Sequence, residues 1–273
     1  MSVRAKKSLG QHFLTDGGVI ARIVAAVGAP DGAPVVEIGP GEGALTADLV
    51  RRYPDLIALE VDAEAVGHLR RRFPTLDVRH VDVLDADWRE LGRGHDASGV
   101  PAGDGPRSPA PGPPSQTLHV VGNLPYYITS PILFALLEAR ASVARAVVMV
   151  QKEVADRIVA GPGSKTFGTL SVYFGLYARA ELLLDVPPAC FRPPPKVDSA
   201  VVTLDFDVPG PDVPFEALQT VVRAAFGKRR KMLRNSLSGV AAAAGVDVPA
   251  WAATRRPEAL APEEFVRLVH HFA

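Results

Sequence analysis

The sequence predicts an α/β chain, a doubly wound parallel sheet with helices on both faces, followed by a small helical domain. Three observations predict it. Short apolar runs alternate with stretches of helical spacing from residue 35 onward, the repeat that builds parallel β-α-β units. A glycine turn, Gly39-Pro40-Gly41-Glu42-Gly43, stops the first of these runs. Residues 215–273 carry helical signals alone, including Pro262-Glu263-Glu264 at a helix start.

Taken in order, 35–38 reads as a strand, the glycine turn follows, and 44–52 reads as a helix. A strand at 56–61, a helix at 63–73 and a strand at 76–81 repeat the pattern, with right-handed crossovers expected. Residues 92–116 then change to Gly, Pro, Ser and Asp with scarcely an apolar side chain, a composition too poor in apolar surface to offset ordering, and are predicted to be a disordered insertion. The pattern resumes with a strand at 118–121. A helix follows from Ser130, placed as its cap with Pro131 at the first helical position. A strand at 145–150, helices at 152–160 and 169–177, and strands at 180–186 and 199–206 complete the first domain. Three prolines within 209–214 mark a linker. The predicted division is therefore 1–208 for the sheet domain and 209–273 for the helical one.

Composition narrows the function classes. Hydrophobic residues make up 47% of 273 and charged residues 22%, a globular profile, and the apolar stretches are too short and interrupted to cross a bilayer. No secretory signal is read at the amino terminus, so a soluble, cytoplasmic protein without membrane attachment is expected. A single cysteine, Cys190, excludes an internal disulfide and makes a cysteine-built metal site implausible; no metal is expected. Thirty basic and thirty acidic residues balance, but their distribution is uneven. Lys228, Arg229, Arg230, Lys231 and Arg234 form a basic knot with few carboxylates nearby, suited to phosphates, although such runs are often merely solvated.

Gly39, Gly41 and Ala44 fit the G-x-G-x-x-G/A turn after a strand, and Glu60 stands about 20 residues on, at the end of the next strand. Glycines let the backbone approach a dinucleotide or adenosyl ligand, and such a carboxylate accepts hydrogen bonds from both ribose hydroxyls. The turn does not separate nicotinamide from S-adenosylmethionine. Asp82, directly after the third strand, is placed to accept an adenine amine; Asp85 and Asp87 lie less favourably. Asn123-Leu124-Pro125-Tyr126 ends the fourth strand. An adenine amino nitrogen has its lone pair delocalised into the ring, so methylating it needs two acceptors for its hydrogens. The Asn123 side-chain oxygen and the Leu124 carbonyl supply them, Pro125 stiffens the turn, and Tyr126 offers a face for an extruded base. Phe191, bracketed by Pro187-Pro188 and Pro193-Pro194-Pro195, reads either as a rigid stacking wall or as a core residue under a loop.

With these motifs in hand, the sequence resembles the small-subunit ribosomal RNA adenine dimethyltransferases, the kasugamycin-sensitivity enzymes. The likeness is carried by Lys7-Ser8-Leu9-Gly10-Gln11-His12-Phe13-Leu14, by Glu37 to Gly43 and by Asn123 to Tyr126. It extends through Gln151-Lys152-Glu153-Val154-Ala155-Asp156-Arg157, Phe191-Arg192-Pro193-Pro194-Pro195-Lys196-Val197-Asp198-Ser199 and Arg229-Arg230-Lys231-Met232-Leu233-Arg234-Asn235-Ser236-Leu237. The resemblance implies S-adenosylmethionine contacts at His12, Leu14, Gly39, Glu60, Asp82 and Asn123, and a Phe191 that faces the target adenine opposite Tyr126. It implies dimethylation of two adjacent adenines in a small-subunit rRNA hairpin, with the ribosomal subunit or its precursor as partner. His12 occupies a position where the family often has Asn, and the 92–116 insertion is longer than the family pattern. Rival readings are a large-subunit rRNA methyltransferase of the macrolide-resistance type, an assembly protein with incidental methylation, and, at the level of fold, a nicotinamide oxidoreductase.

Overall fold

A computed structural model describes residues 11–91, 118–228 and 230–273. The 92–116 insertion, Arg229 and the Lys7 to Gly10 part of the amino-terminal motif lie outside them. The chain forms two compact units. One runs to Lys152 and takes in Glu181–Asp207; the other comprises Glu153–Ala180 and Val208–Ala273. The chain thus passes between units at 152/153, 180/181 and 207/208, and a single boundary after 208 describes only the last passage.

The first unit begins with β1 (Phe13–Leu14) and α1 (Gly17–Val27), neither expected from the sequence. Asp16 accepts a hydrogen bond from Val19 N at 2.9 Å and so starts α1, which buries Val19, Ile23, Val24 and Val27, one helical face. There follow β2 (Val35–Ile38), α2 (Thr46–Arg52), β3 (Ile57–Glu60), α3 (Ala63–Arg72), β4 (Asp77–His80) and α4 (Trp88–Leu91). Beyond the insertion come β5 (Leu118–Asn123), α5 (Thr129–Glu138) and β6 (Val143–Gln151), which leads into α6 (Lys152–Ile158) and α7 (Thr169–Tyr177). β7 (Arg179–Val186), β8 (Phe191–Arg192) and β9 (Ser199–Asp205) complete the strands.

The central sheet has the order β4-β3-β2-β5-β6-β9-β7. The first five are parallel neighbours, and β9 runs antiparallel to β6. Every residue of β2 and β3 is buried, as expected where helices cover both faces, and this is why these strands read as apolar runs, each carrying one buried glutamate, Glu37 and Glu60. Chain order reverses between β2 and β5, so their carboxyl ends flank the switch point where open α/β sheets bind ligands. The doubly wound fold stands. One detail is corrected: α5 starts at Thr129 behind a 3-10 turn, Tyr126–Ile128, and Ser130 is not its cap. The turn already directs the chain into the helix, and the Thr129 hydroxyl donates to Pro125 O at 3.0 Å.

The second unit gathers α7 with α8 (Phe215–Gly227), α9 (Leu233–Ser236), α10 (Ser238–Ala244), α11 (Ala250–Ala253) and α12 (Pro262–Phe272). Aromatic rings hold it together: Phe226 lies 6.2 Å from Phe167 and 5.7 Å from Phe265, centre to centre. Arg255 grips both oxygens of Glu264, holding its carboxyl below the usual range.

The β2–β5 pairing needs a residue without a side chain. Gly122 faces Ile38, and a Cβ there would stand 2.7 Å from the Ile38 carbonyl oxygen, an approach that backbone atoms cannot yield cheaply. Gly122→Ala should therefore lower stability by about 1–3 kcal/mol, the usual cost of overpacking. Gly17→Ala, which meets nothing within 4 Å, should not. Chemical denaturation followed by circular dichroism compares the two; equal midpoints would show that the strands have room to spare.

Candidate active site

At the carboxyl ends of β2, β3 and β5 the first unit opens a cleft with a cavity volume of about 150 Å³. Its walls bring together His12, Leu14, Gly39, Gly41, Ala44, Glu60, Asp82 and the whole Asn123-Leu124-Pro125-Tyr126 segment. Elements more than 100 residues apart in sequence thus meet at one place.

The glycine turn is built on left-handed backbone, with φ of 63° at Gly39 and 57° at Gly41. A Cβ at Gly39 would meet only Asn123 O, at 4.0 Å, so it would project into the space between turn and tetrapeptide. That open strip is where an adenosyl ligand can lie against backbone. Glu60 ends β3 and is 4% exposed. Its Oε2 accepts from Gly41 N at 3.0 Å and its Oε1 from Asp62 N at 2.8 Å. Burial nonetheless raises its pKa. Each oxygen keeps a further lone pair, so the carboxylate both fixes the turn and remains able to accept ribose hydroxyls. Asp82 lines the cleft with one oxygen committed to Leu84 N at 3.0 Å. Asp87 instead caps α4 through Arg89 N and Glu90 N, and neither it nor Asp85 borders the cleft.

The tetrapeptide is held by bonds that leave its two acceptors untouched. Asn123 Nδ2 donates to His12 O at 2.9 Å. Because a carbonyl can only accept, this contact fixes which end of the amide is which and leaves Oδ1 for a ligand. Leu124 N donates to Met149 O at 3.0 Å, and Ile128 N to Pro125 O at 3.2 Å. The Tyr126 hydroxyl and Ser199 Oγ lie 2.6 Å apart, while the Tyr126 ring stacks on the His12 ring at 5.7 Å and 28°. His12 Nδ1 in turn bonds Pro193 O at 2.8 Å. The unusual His is therefore a strut between tetrapeptide and proline loop, a role carried by both its backbone and its ring. Ser199 was given no role by the sequence, although it closes the proline-rich motif.

Phe191 sits differently. Only 2% exposed, it pairs with Leu14 across β8 and β1, packs in the hydrophobic core, and is absent from the cleft wall. The exposed aromatic beside the tetrapeptide is Tyr127, at 55%. In the second unit, Lys228, Arg230, Lys231 and Arg234 are all exposed. They lie not along one helix but around the break between α8 and α9, where Lys231 N bonds Lys228 O at 2.8 Å. Among the described residues no cluster of metal-ligating side chains occurs, and no helix is long and apolar enough to cross a membrane.

A glycine turn at the switch point, an acidic residue closing the next strand and an amide-led tetrapeptide beside them define an S-adenosylmethionine-dependent methyltransferase of exocyclic amines. Comparison with known proteins narrows this. The chain belongs to the ribosomal RNA adenine dimethylase family, whose profile matches residues 2–268. It is 46% identical to the ribosomal RNA small subunit methyltransferase A of Salinibacter ruber, over 98% of this chain and 85% of the relative. It is 43% identical to the protein of that name from Xanthomonas euvesicatoria, over 98% and 97%. Among solved structures it is similar to a dimethyladenosine transferase from Plasmodium falciparum, with a TM-score of 0.72, 22% identity and coverage of 96% and 97%, a likeness of fold. The 23S rRNA methyltransferase ErmE gives a TM-score of 0.62 at 27% identity, covering 95% and 99%. The macrolide-resistance reading is thus the less favoured one, and the activity is S-adenosylmethionine-dependent dimethylation of rRNA adenine.

Beneath the glycine turn, Glu37 is fully buried and accepts the Thr46 hydroxyl at 2.7 Å. Burial, opposed by that bond and reinforced by Glu60, pushes its pKa from 4.5 up to about 8. The folded protein therefore keeps a proton that the unfolded chain loses near pH 4.5. This contribution to stability is whole below 4.5, declines as pH rises, and is gone above about 8. Its slope is about 1.4 kcal/mol per pH unit at most. Glu37→Gln, neutral throughout and still able to accept from Thr46, should gain stability relative to the parent as pH climbs through that window. Thermal melts across the range measure it; parallel pH profiles would place a charged Glu37 in the fold.

Proposed function

We propose that the chain dimethylates two adjacent adenines in a hairpin of small-subunit ribosomal RNA, within the subunit or its precursor, as a step of ribosome biogenesis in the cytoplasm. The observation that carries the reading is the Asn123 amide, tied by its nitrogen to the His12 carbonyl with its oxygen free at the cleft. Relatives that bear the small-subunit name match 98% of the chain, which favours that substrate.

Bound S-adenosylmethionine supplies an activated methyl group on a sulfonium. The chain's own residues do the positioning. Asn123 Oδ1 and the Leu124 carbonyl accept the two amine hydrogens, which turns the nitrogen lone pair toward the methyl carbon. Held so, the nitrogen would take the methyl group as it leaves the sulfur, and the methylated base would release its surplus proton to water. No general base is required, and catalysis rests on orientation. Tyr126, anchored by Ser199 and backed by His12, offers its remaining ring face to the flipped base. As folded here the Phe191 ring is covered, so contact with a base requires that ring to be uncovered. Glu60 is assigned to the ribose, Asp82 to the adenine ring of the methyl donor, and His12, Leu14 and Gly39 to the walls around them. The first unit is read as the methyltransferase part. The second is read as an RNA anchor, with Lys228, Arg229, Arg230, Lys231 and Arg234 toward phosphates. An assembly role without methylation is disfavoured by a tetrapeptide so fully braced.

The test is incubation of unmethylated small ribosomal subunits with labelled methyl donor, followed by mapping of the modified bases. Two neighbouring dimethyladenines are expected. Asn123→Ala should lower single-turnover methylation at least 100-fold, roughly the 3 kcal/mol of a transition-state contact. Donor affinity is measured alongside. Label on large-subunit RNA alone would overturn the substrate, and near-normal turnover of the variant would overturn the role of Asn123.

A further inference from the structure

Tyr127 is the most exposed of the large hydrophobic side chains described, at 55%, yet it borders the same cleft as the catalytic tetrapeptide. Its backbone is not loose. It lies inside the 3-10 turn Tyr126–Ile128, closed by the Ile128 N to Pro125 O bond and by the Thr129 hydroxyl on the same carbonyl. A rigid turn thus holds an aromatic ring in water one residue beyond the tyrosine assigned to the target base. The surroundings indicate what would cover it. Tyr126 is bonded to Ser199, which brings the end of the proline loop alongside, and that loop carries exposed Arg192 and Lys196. Exposed Val197, at 46%, adds apolar surface, and exposed Asp198 is the one acidic residue of the stretch.

An aromatic platform next to a loop that carries two cations is an arrangement suited to unpaired nucleic acid, bases on the ring and phosphates on the charges. We propose that Tyr127 stacks on the nucleotide flanking the target adenine, with Arg192 and Lys196 holding the adjoining phosphates, and that it thereby helps to select an unpaired, splayed RNA segment. The inference rests on the rRNA-methylating reading and adds to it a second stacking site outside the pocket for the target base. A ring used this way needs its π face and not its hydroxyl.

The experiment measures steady-state methylation of unmethylated small subunits by the full chain carrying Tyr127→Ala or Tyr127→Phe. Tyr127→Ala is expected to raise KM for the subunits on the order of ten-fold, with the larger share of its effect in KM, since a stacked base is worth about that much. Tyr127→Phe should restore KM to near the parent value. Affinity for S-adenosylhomocysteine, measured by calorimetry, should be alike in all three proteins, which also verifies that the pocket folds. A parental KM in Tyr127→Ala would overturn the inference, as would a Phe variant as impaired as Ala or a loss of S-adenosylhomocysteine binding in the Ala variant alone. Should the parent protein itself transfer no methyl group to the subunits, the reading of function fails first and takes this inference with it.

Discussion

The parallel pairing of β2 with β5 is the constraint on which the site depends. It is the junction among the five parallel strands where chain order reverses, so the loops leaving the two strands part and open a cleft between them. It sets the Ile38 end, from which the glycine turn springs, beside the Gly122 end, from which Asn123 springs. Close approach of the backbones at that point admits no Cβ on Gly122. The glycine turn and the Asn123 amide are therefore one geometric object, and a shift of β5 against β2 would disturb both at once.

A second layer of fixation comes from the amino-terminal segment. β1 pairs with β8, Thr15 N bonds Cys190 O at 2.8 Å, and the His12 carbonyl receives the Asn123 amide. Three loops distant in sequence are thus tied across the cleft by ordinary hydrogen bonds, each worth about 1 kcal/mol net but jointly able to hold an amide to a single orientation. Phe191 is buried in the core, and Phe13, Tyr126 and Tyr127 are the Phe and Tyr residues that line the cleft. Buried Glu60 fixes the glycine turn itself, since its carboxylate accepts from Gly41 N.

Much of this was legible in the sequence, for a physical reason. Strands buried on both faces need mostly apolar runs, and 35–38, 56–61 and 118–121 supply them with one polar residue each; turns that approach a ligand need glycine, and 39–43 supplies it. What escaped was structure fixed by tertiary contact. α1 opens with Gly-Gly and is rich in Val and Ile, so local propensity speaks against a helix, and only its buried face and the Asp16 cap make one. The two-residue strands β1 and β8 have no period to read. The grouping of α7 with the carboxyl-terminal helices depends on contacts such as Tyr173 and Tyr177 on Phe215 and Phe167, just before α7, on Phe226, 59 positions further on, which no local pattern encodes. The basic knot falls within the stretch of helical signals from 215 onward, yet α8 ends at Gly227 and most of the knot's charges follow the break. The bond from Asn123 to His12 spans 111 positions and was invisible for the same reason.

The central claim is that the cleft at the β2–β5 junction holds the methyl donor with Asn123 already oriented. A crystal structure of the protein with S-adenosylhomocysteine tests it most directly. The account predicts the ribose hydroxyls on Glu60, the adenine beside Asp82, and the Asn123 nitrogen still on the His12 carbonyl with Oδ1 on the sulfur side. A ligand seated elsewhere, or an Asn123 amide turned nitrogen-first toward the sulfur, would contradict it.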